Sequence, residues 1–176
     1  AVYKGRFVGT IGDVAAFSTM SGKHHATGGQ GGVVYTQDEA RYWRIRRAAD
    51  RGKPFNLDTP GNVTASLNLN LDDLSAAIGR VQLKKLPAMI ATRRRVALGV
   101  AEGCRTFATV DFITDPPGCQ NVFWFMCFHL DLDRLSVDRA TFIKALVAEG
   151  IPARAGYAGG AIPTDMTWHT NRAVFG

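Results

Sequence analysis

Cysteine is scarce in this sequence. Cys104, Cys119 and Cys127 are the only three, and no two stand at C-x-x-C spacing. An odd, unclustered set argues against a disulfide framework and a zinc site, and suits a reducing cytosol. We read them as buried free thiols and expect a cytoplasmic protein. Long apolar runs are missing too: none approaches the roughly 18 residues of a membrane span, and no basic-then-apolar leader opens the chain. Acid is outnumbered, with 15 Asp and Glu against 21 Lys and Arg, a net charge of +6. That balance points to anionic partners. The arginines gather at Arg41, Arg44, Arg46, Arg47 and Arg51, then at Arg93, Arg94 and Arg95. Neither group is interleaved with stacking aromatics or a recognisable module, which argues against nucleic acid. Each group is a solvated helix face or a contact for a substrate diphosphate. With 46% apolar and 20% charged residues, the 176-residue chain can bury a core and fold as a globular domain or parts of two.

The chemically distinctive stretch is Thr10 to Tyr35. Lys23 lies on a loop between two short β-type runs, Val14 to Phe17 and Gly32 to Tyr35, five residues after Ser18 and just before Gly28, Gly29, Gly31 and Gly32. Glycines let backbone approach a ligand closely. An amine held against apolar strand ends can act as a nucleophile. The residues alone leave two readings open: a lysine that forms a Schiff base, with pyridoxal phosphate (PLP) the natural aldehyde, and a surface lysine on a glycine-rich loop. The His24-His25 pair does not suggest a metal site, since neighbours on an extended chain point opposite ways. The loop also lacks Walker spacing and the Ser or Thr after its lysine.

Along the chain, residues 7–10 and 14–17 read as short buried strands around a Gly12-Asp13 turn, and residues 33–36 as another. Gln37-Asp38-Glu39 opens a helix, acidic at its start and basic at its end, that stops near residues 50–52. Residues 53–70 have no period and read as an ordered loop; Asn68 there is a turn residue or cap unless it meets a ligand. Leu71, Leu74, Ile78 and Val81 begin an amphipathic helix that continues through Pro87 to a stop at Gly103, a rod of about 45 Å. The apolar run from Val122 to Phe128 reads as a strand buried on both faces, with His129 a structural histidine. Ser136 caps a helix to Glu149, Gly150 closes it, and residues 151–154 restart as a strand. The rest is irregular, and Tyr157 and His169 are placed to reach a substrate there.

Two stretches resemble the sugar aminotransferase family of the DegT/DnrJ/StrS type. In the first, Gly12-Asp13, Phe17-Ser18, Lys23, Thr27-Gly28 and Gly31-Gly32 match the active-site segment. In the second, Asn68 to Gly79, NLNLDDLSAAIG, matches the family's Asn-Tyr-Arg-x-x-Asp-Leu-x-Ala-Ala-Ile-Gly run. Three departures stand out. The loop after Lys23 is one residue longer than usual, Gln30 replaces a common Glu, and Asn70 replaces an Arg. Counting back from Gly31-Gly32 puts His24 at the reactive position; counting forward from Ser18, or aligning Thr27-Gly28, puts Lys23 there. The distinction matters because a dehydratase of the same fold uses histidine.

The resemblance implies an α/β chain, part of the large-domain sheet of a PLP-dependent transferase of fold type I. Residues 1–70 would close that domain, 71–103 form a connector helix, and 104–176 make a small, incomplete C-terminal domain. Ala1-Val2-Tyr3 and Phe175-Gly176 both read as the middle of a longer chain. The implied enzyme moves an amino group from an amino acid, commonly glutamate, to a nucleotide-linked keto-sugar in amino sugar biosynthesis. Lys23 is the implied catalytic residue. Ser18 and Lys23 bind PLP, Asn68 meets the partner subunit's cofactor in a homodimer with shared sites, and His24 and Tyr157 face the substrate. No metal is implied. The alternatives are the dehydratase acting through His24 and a non-catalytic or regulatory homologue.

Overall fold

Hydrogen bonding in this chain begins with short strands and long helical segments rather than a wide sheet. The computed structural model describes residues 1–156 and 166–173. In chain order the elements are Val2–Tyr3 (β1), Arg6–Phe7 (β2), Ala15–Ser18 (β3), Gly32–Tyr35 (β4), Glu39–Ala49 (α1) and Asp73–Gly103 (α2). There follow Val110–Phe112 (β5), Cys119–Gln120 (β6), Phe128–Leu130 (β7), Arg139–Ala148 (α3) and Thr167–Thr170 (α4). β1 pairs antiparallel with β2 on one edge and with β6 on the other. β3 pairs antiparallel with β4, Ser18 opposite Gly32. β5 neighbours β7. Two units result: Ala1–Gly103 with Phe112–Cys127, and Cys104–Asp111 with Phe128–Gly176.

In the first unit, Asp38 caps α1 by accepting a hydrogen bond from the Arg41 amide at 2.6 Å, with Arg46 and Arg47 in the last turn. The helix ends where Arg51 and Gly52 take φ of 58° and 77°. A Cβ on Gly52 would overlap the Thr64 carbonyl, so this left-handed position also needs glycine for space. Residues 53–70 form an ordered loop laid along that end. Val63 N donates to Gly52 O at 2.8 Å, Leu69 N to Ala49 O at 2.8 Å, and Asp50 bridges Asn68. Asp72 receives both the Ser75 amide and hydroxyl at 2.8 Å and so starts α2, which runs 31 residues through Pro87 to Gly103.

Several expectations are corrected. Residues 8–10 are not a strand, since β2 ends at Phe7, and residues 167–170 form α4 where irregular chain was expected. β3 and β4 exist, but they are not buried: Phe17, Val33 and Val34 are 45–51% exposed. A two-stranded ribbon with apolar residues on both faces needs a layer on each side, and none of the described residues supplies one. Residues 122–127 are not a strand, and only Phe128 of the expected run enters one, β7. Phe123 takes φ 48°, and its amide donates to Asn121 Oδ1 at 3.1 Å, so an Asx-type turn breaks the extended course. In the second unit α3 is capped by Asp138, not Ser136, because a carboxylate accepting the Thr141 amide at 2.7 Å is a stronger cap than a hydroxyl. Residues 151–154 form no strand; Ala153 N bonds Ile151 O at 2.8 Å in a tight turn.

The cysteines are free, but Cys104 and Cys119 are half-buried and Cys127 is exposed, so the expected burial is not found. His129 is likewise exposed on β7. Among the described residues no helix is long and apolar enough to cross a membrane. The deepest burial belongs to Ala97, Phe123, Thr19, Thr27 and Asp50. Four of these five gather around α2 or the Lys23 loop.

Candidate active site

Residues 19–31 leave β3 and return to β4, so the ribbon fixes both ends of the loop. The base is laced by backbone bonds. Thr19 N donates to Gly31 O at 2.8 Å, Ser21 N to Gly29 O at 2.8 Å, and Thr27 N to Thr19 O at 2.9 Å. The Thr19 and Thr27 hydroxyls, 1% and 2% exposed, lie 3.1 Å apart, and Thr27 Oγ1 also donates to Thr19 O at 3.1 Å. Gly31 fits only because it lacks a side chain; a Cβ there would stand 2.6 Å from Thr19 Oγ1. The loop rests on α2 at Gly79, where a Cβ would come within 2.9 Å of Thr27 Cγ2. His25 Nε2 hydrogen-bonds Gly79 O at 2.9 Å.

Lys23 crowns this loop, its amide bonded to Met20 O at 2.9 Å. Its Nζ lies 3.6 Å from the centroid of the Trp124 ring, well inside the roughly 6 Å reach of a cation–π contact. The Trp124 indole N–H donates to Gly22 O at 3.1 Å, so the ring is bonded to the residue beside the lysine. Behind it, Arg93 Nη1 on α2 donates to the carbonyls of Phe123 at 3.4 Å and Trp124 at 3.3 Å. Arg94 pairs with Asp115 at 2.6 Å, and Asp115 accepts the Asn121 amide at 2.6 Å. Those bonds hold the Asp115 carboxyl below its ordinary value, with Arg94 the larger cause, and raise Arg94. Two arginines of α2 thereby fix the segment that carries Trp124.

His24 lies beside the same Arg93 and Phe123. Among the described residues its Nε2 is buried with no hydrogen-bond partner. Burial first, then the positive charges of Arg93 and the N-terminus, lower its pKa, while the Phe123 backbone pulls the other way. Ser18 ends β3 exposed, and its Oγ accepts the Met20 amide at 3.4 Å, which leaves the hydroxyl proton available to donate. Asn68 is exposed, and its Oδ1 accepts from the amide and side chain of Asn70 at 3.3 and 2.9 Å. Asn70 in turn accepts Arg46 at 3.1 Å, where an arginine was expected by resemblance. Ser18 thus ends the strand from which the Lys23 loop departs, whereas Asn68 belongs to the bonding at the end of α1. Tyr157 lies outside the described residues. His169 sits on α4 in the second unit, edge-on to Trp168 at 5.9 Å.

The arginines of α1 were read as a solvated face or an anion contact. Arg41, Arg44 and Arg47 line a cavity of about 570 Å³ with Val14, Ile45 and Val63. Arg41 also pairs with Asp13 at 3.5 Å, and Arg47 donates to Asn56 at 2.8 Å. Neither Ser18 nor Lys23 borders that cavity. Trp124 and Thr19 escaped the sequence reading, and Arg93 and Arg94, read as a solvated face or a diphosphate contact, instead bond the segment that carries Trp124. Asn121, at the head of the apolar run, was the local signal that a turn would follow.

The residues present fit PLP: a primary amine for an aldehyde on the tied loop, and a hydroxyl donor for a phosphate on Ser18, the last residue of β3 before that loop. The fold is that of the PLP-dependent transferases of fold type I. A solved structure of Escherichia coli GDP-4-keto-6-deoxy-D-mannose-3-dehydratase with bound hydrated PLP matches at a TM-score of 0.77 and 26% identity, over 88% of this chain and 43% of that one. More particularly, the chain belongs to the DegT/DnrJ/EryC1/StrS aminotransferase family, whose pattern covers residues 1–171. It is 29% identical over 157 residues to a GDP-perosamine synthase of Caulobacter vibrioides, 88% of this chain and 41% of that protein. It is 36% identical over 102 residues to the dTDP-3-amino-3,4,6-trideoxy-alpha-D-glucose transaminase of Micromonospora megalomicea subsp. nigra, 56% of this chain and 26% of that protein. The chain spans 26% to 41% of the length of these curated relatives. The family is one of PLP-dependent aminotransferases.

Proposed function

We propose that this chain carries the cofactor-binding lysine of a PLP-dependent aminotransferase that aminates a nucleotide-linked keto-sugar. The observation that carries the reading is Lys23 at the crown of a laced loop, its amine held on a ring face rather than loose in solvent. When bound, PLP supplies an electron sink that makes the amino donor's α-proton acidic. Lys23 is the residue that attaches the cofactor and, once displaced, moves that proton from the donor's α-carbon; this general acid–base role requires an amine that is neutral for part of the cycle. Ser18 donates its hydroxyl to the phosphate. Asn68 reaches the phosphate of a partner subunit's cofactor in a homodimer, which agrees with its exposure and with contacts away from the Lys23 loop. Glutamate is the proposed donor.

A dehydratase acting through His24 is the second reading, supported by the relative that carries out that reaction. It is the weaker one for this chain, because the His24 Nε2 is enclosed while the Lys23 amine is presented. Addition of PLP to the full chain should give a yellow protein that borohydride bleaches, with the reduced adduct on the Lys23 peptide. Lys23→Ala should abolish both. A colourless protein, or an adduct spread evenly over other lysines, would defeat the proposal. A yellow protein with no reducible lysine adduct would favour the dehydratase.

A further inference from the structure

We propose that Trp124 is a positioning residue that holds the Lys23 ammonium on its indole face until an aldehyde takes the amine. The inference rests on the reading of Lys23 given above.

Three observations meet at this ring. The first is the approach of Lys23 Nζ to 3.6 Å from the ring centroid. The second is the indole N–H bond to Gly22 O at 3.1 Å, which ties ring and lysine loop together across 102 residues of sequence. The third is the anchorage: Phe123 is 3% exposed in a left-handed backbone conformation, and Arg93 grips the carbonyls on both sides of the Phe123–Trp124 junction. A non-glycine residue at positive φ is strained, and such strain persists only where surrounding contacts impose it. Here it turns the chain so that Trp124 reaches the loop.

The ring's quadrupole attracts a cation and offers little to a neutral amine. Bond formation to an aldehyde carbon needs the nitrogen lone pair, so the ammonium must leave the ring and give its proton to solvent first. Trp124 therefore competes with the aldehyde for Lys23. In return it keeps the amine at one place instead of letting a flexible side chain sample solvent.

Labelling without cofactor tests this directly. The full chain is treated with trinitrobenzenesulfonate, and the rate at the Lys23 peptide is followed by mass spectrometry. Trp124→Leu should raise that rate about two- to fivefold, from the strength of an exposed cation–π pair, while other lysines are unchanged. Trp124→Phe, which keeps a ring face, should fall near the original chain. An equal Lys23 rate in all three overturns the proposal yet leaves the borohydride adduct intact. Failure of that adduct with the labelling pattern as expected defeats the aminotransferase reading and spares the clamp. Should Trp124→Leu not fold, reductive ¹³C-methylation of the original chain decides. The Lys23 dimethylammonium resonance, assigned by its loss in Lys23→Arg, should be displaced upfield by the indole ring current. A resonance at the position of solvent-exposed lysines overturns the proposal.

Discussion

Replacing Gly31 with alanine tests whether the loop geometry is set by the buried threonine pair. The added Cβ would stand 2.6 Å from Thr19 Oγ1, 2.8 Å from Thr27 Oγ1 and 3.1 Å from Leu71 Cδ1. Leu71 can give way at its tip. The hydroxyls cannot do so freely, since they are 1% and 2% exposed and bonded to each other at 3.1 Å. Rotating either threonine strands a buried hydroxyl, at about 1–3 kcal/mol. Leaving both in place overpacks the site by a similar amount, about 1–3 kcal/mol. The two responses are alternatives of similar cost, so the expected loss is about 1–3 kcal/mol, or a fall in Tm of about 2–12 °C for a chain of this size. The assay is thermal unfolding, run alongside borohydride trapping of PLP at Lys23, which should weaken as the loop shifts. Gly29→Ala is the control, because a Cβ there meets nothing within 4 Å; its Tm should move by no more than about 2 °C. A Gly31→Ala protein as stable as that control, with Lys23 trapped normally, would refute the reasoning.

Asp115→Ala should cost about 1–3 kcal/mol by leaving Arg94, about three-quarters buried at 24% exposure, without its carboxylate. It should also speed Lys23 labelling as the Trp124 segment loosens; unchanged urea midpoint and labelling would remove Asp115 from the anchorage. On the acid side, hydrogen bonds from Arg51 hold Asp50 down at about 2, and bonds from Arg94 lower Asp115. The folded chain binds fewer protons there than the unfolded one, so this stabilisation is complete above the ordinary value of 3.8 and drains away as pH falls towards about 2. Asp50→Asn should flatten that part of the curve of urea midpoint against pH. His24 is also lowered, from 6.5. Its folded form favours the neutral ring, so the stability it contributes is full above about pH 6.5 and declines below it as the unfolded chain takes up the proton first. His24→Gln should remove that decline, and identical midpoints for both chains across the window would show that His24 contributes none of it.

Much of the framework could be read from local pattern. Asp38 and Asp72 before apolar-periodic runs placed the starts of α1 and α2, and Gly103 marked the end of α2, because caps and helical period are properties of neighbouring residues. The tandem of Phe17-Ser18, Lys23 and Gly31-Gly32 marked the reactive loop and its family. Asp138 shows how a local reading slips by a short step: Ser136 was the expected cap, and the Thr141 amide instead meets the carboxylate two residues on. The strand expected over residues 122–128 failed for a different reason. The apolar run outweighed the single turn signal of Asn121, whose side chain accepts the Phe123 amide, and Arg93 of α2 holds the bend at Phe123.

Sequence by itself determined α1, α2 and α3, the glycine-rich loop and the candidate lysine, since each follows from residues a few positions apart. Whether Lys23 or His24 is offered depended on the tertiary structure. Counting residues across a loop one longer than usual gives both answers, whereas packing against α2 and the Phe123 turn encloses the His24 Nε2 and sets the Lys23 amine on the Trp124 ring. That ring is about a hundred positions away along the chain, beyond the reach of any period or motif. Burial and charge act through space, and so the surroundings of these two neighbouring side chains belong to the fold.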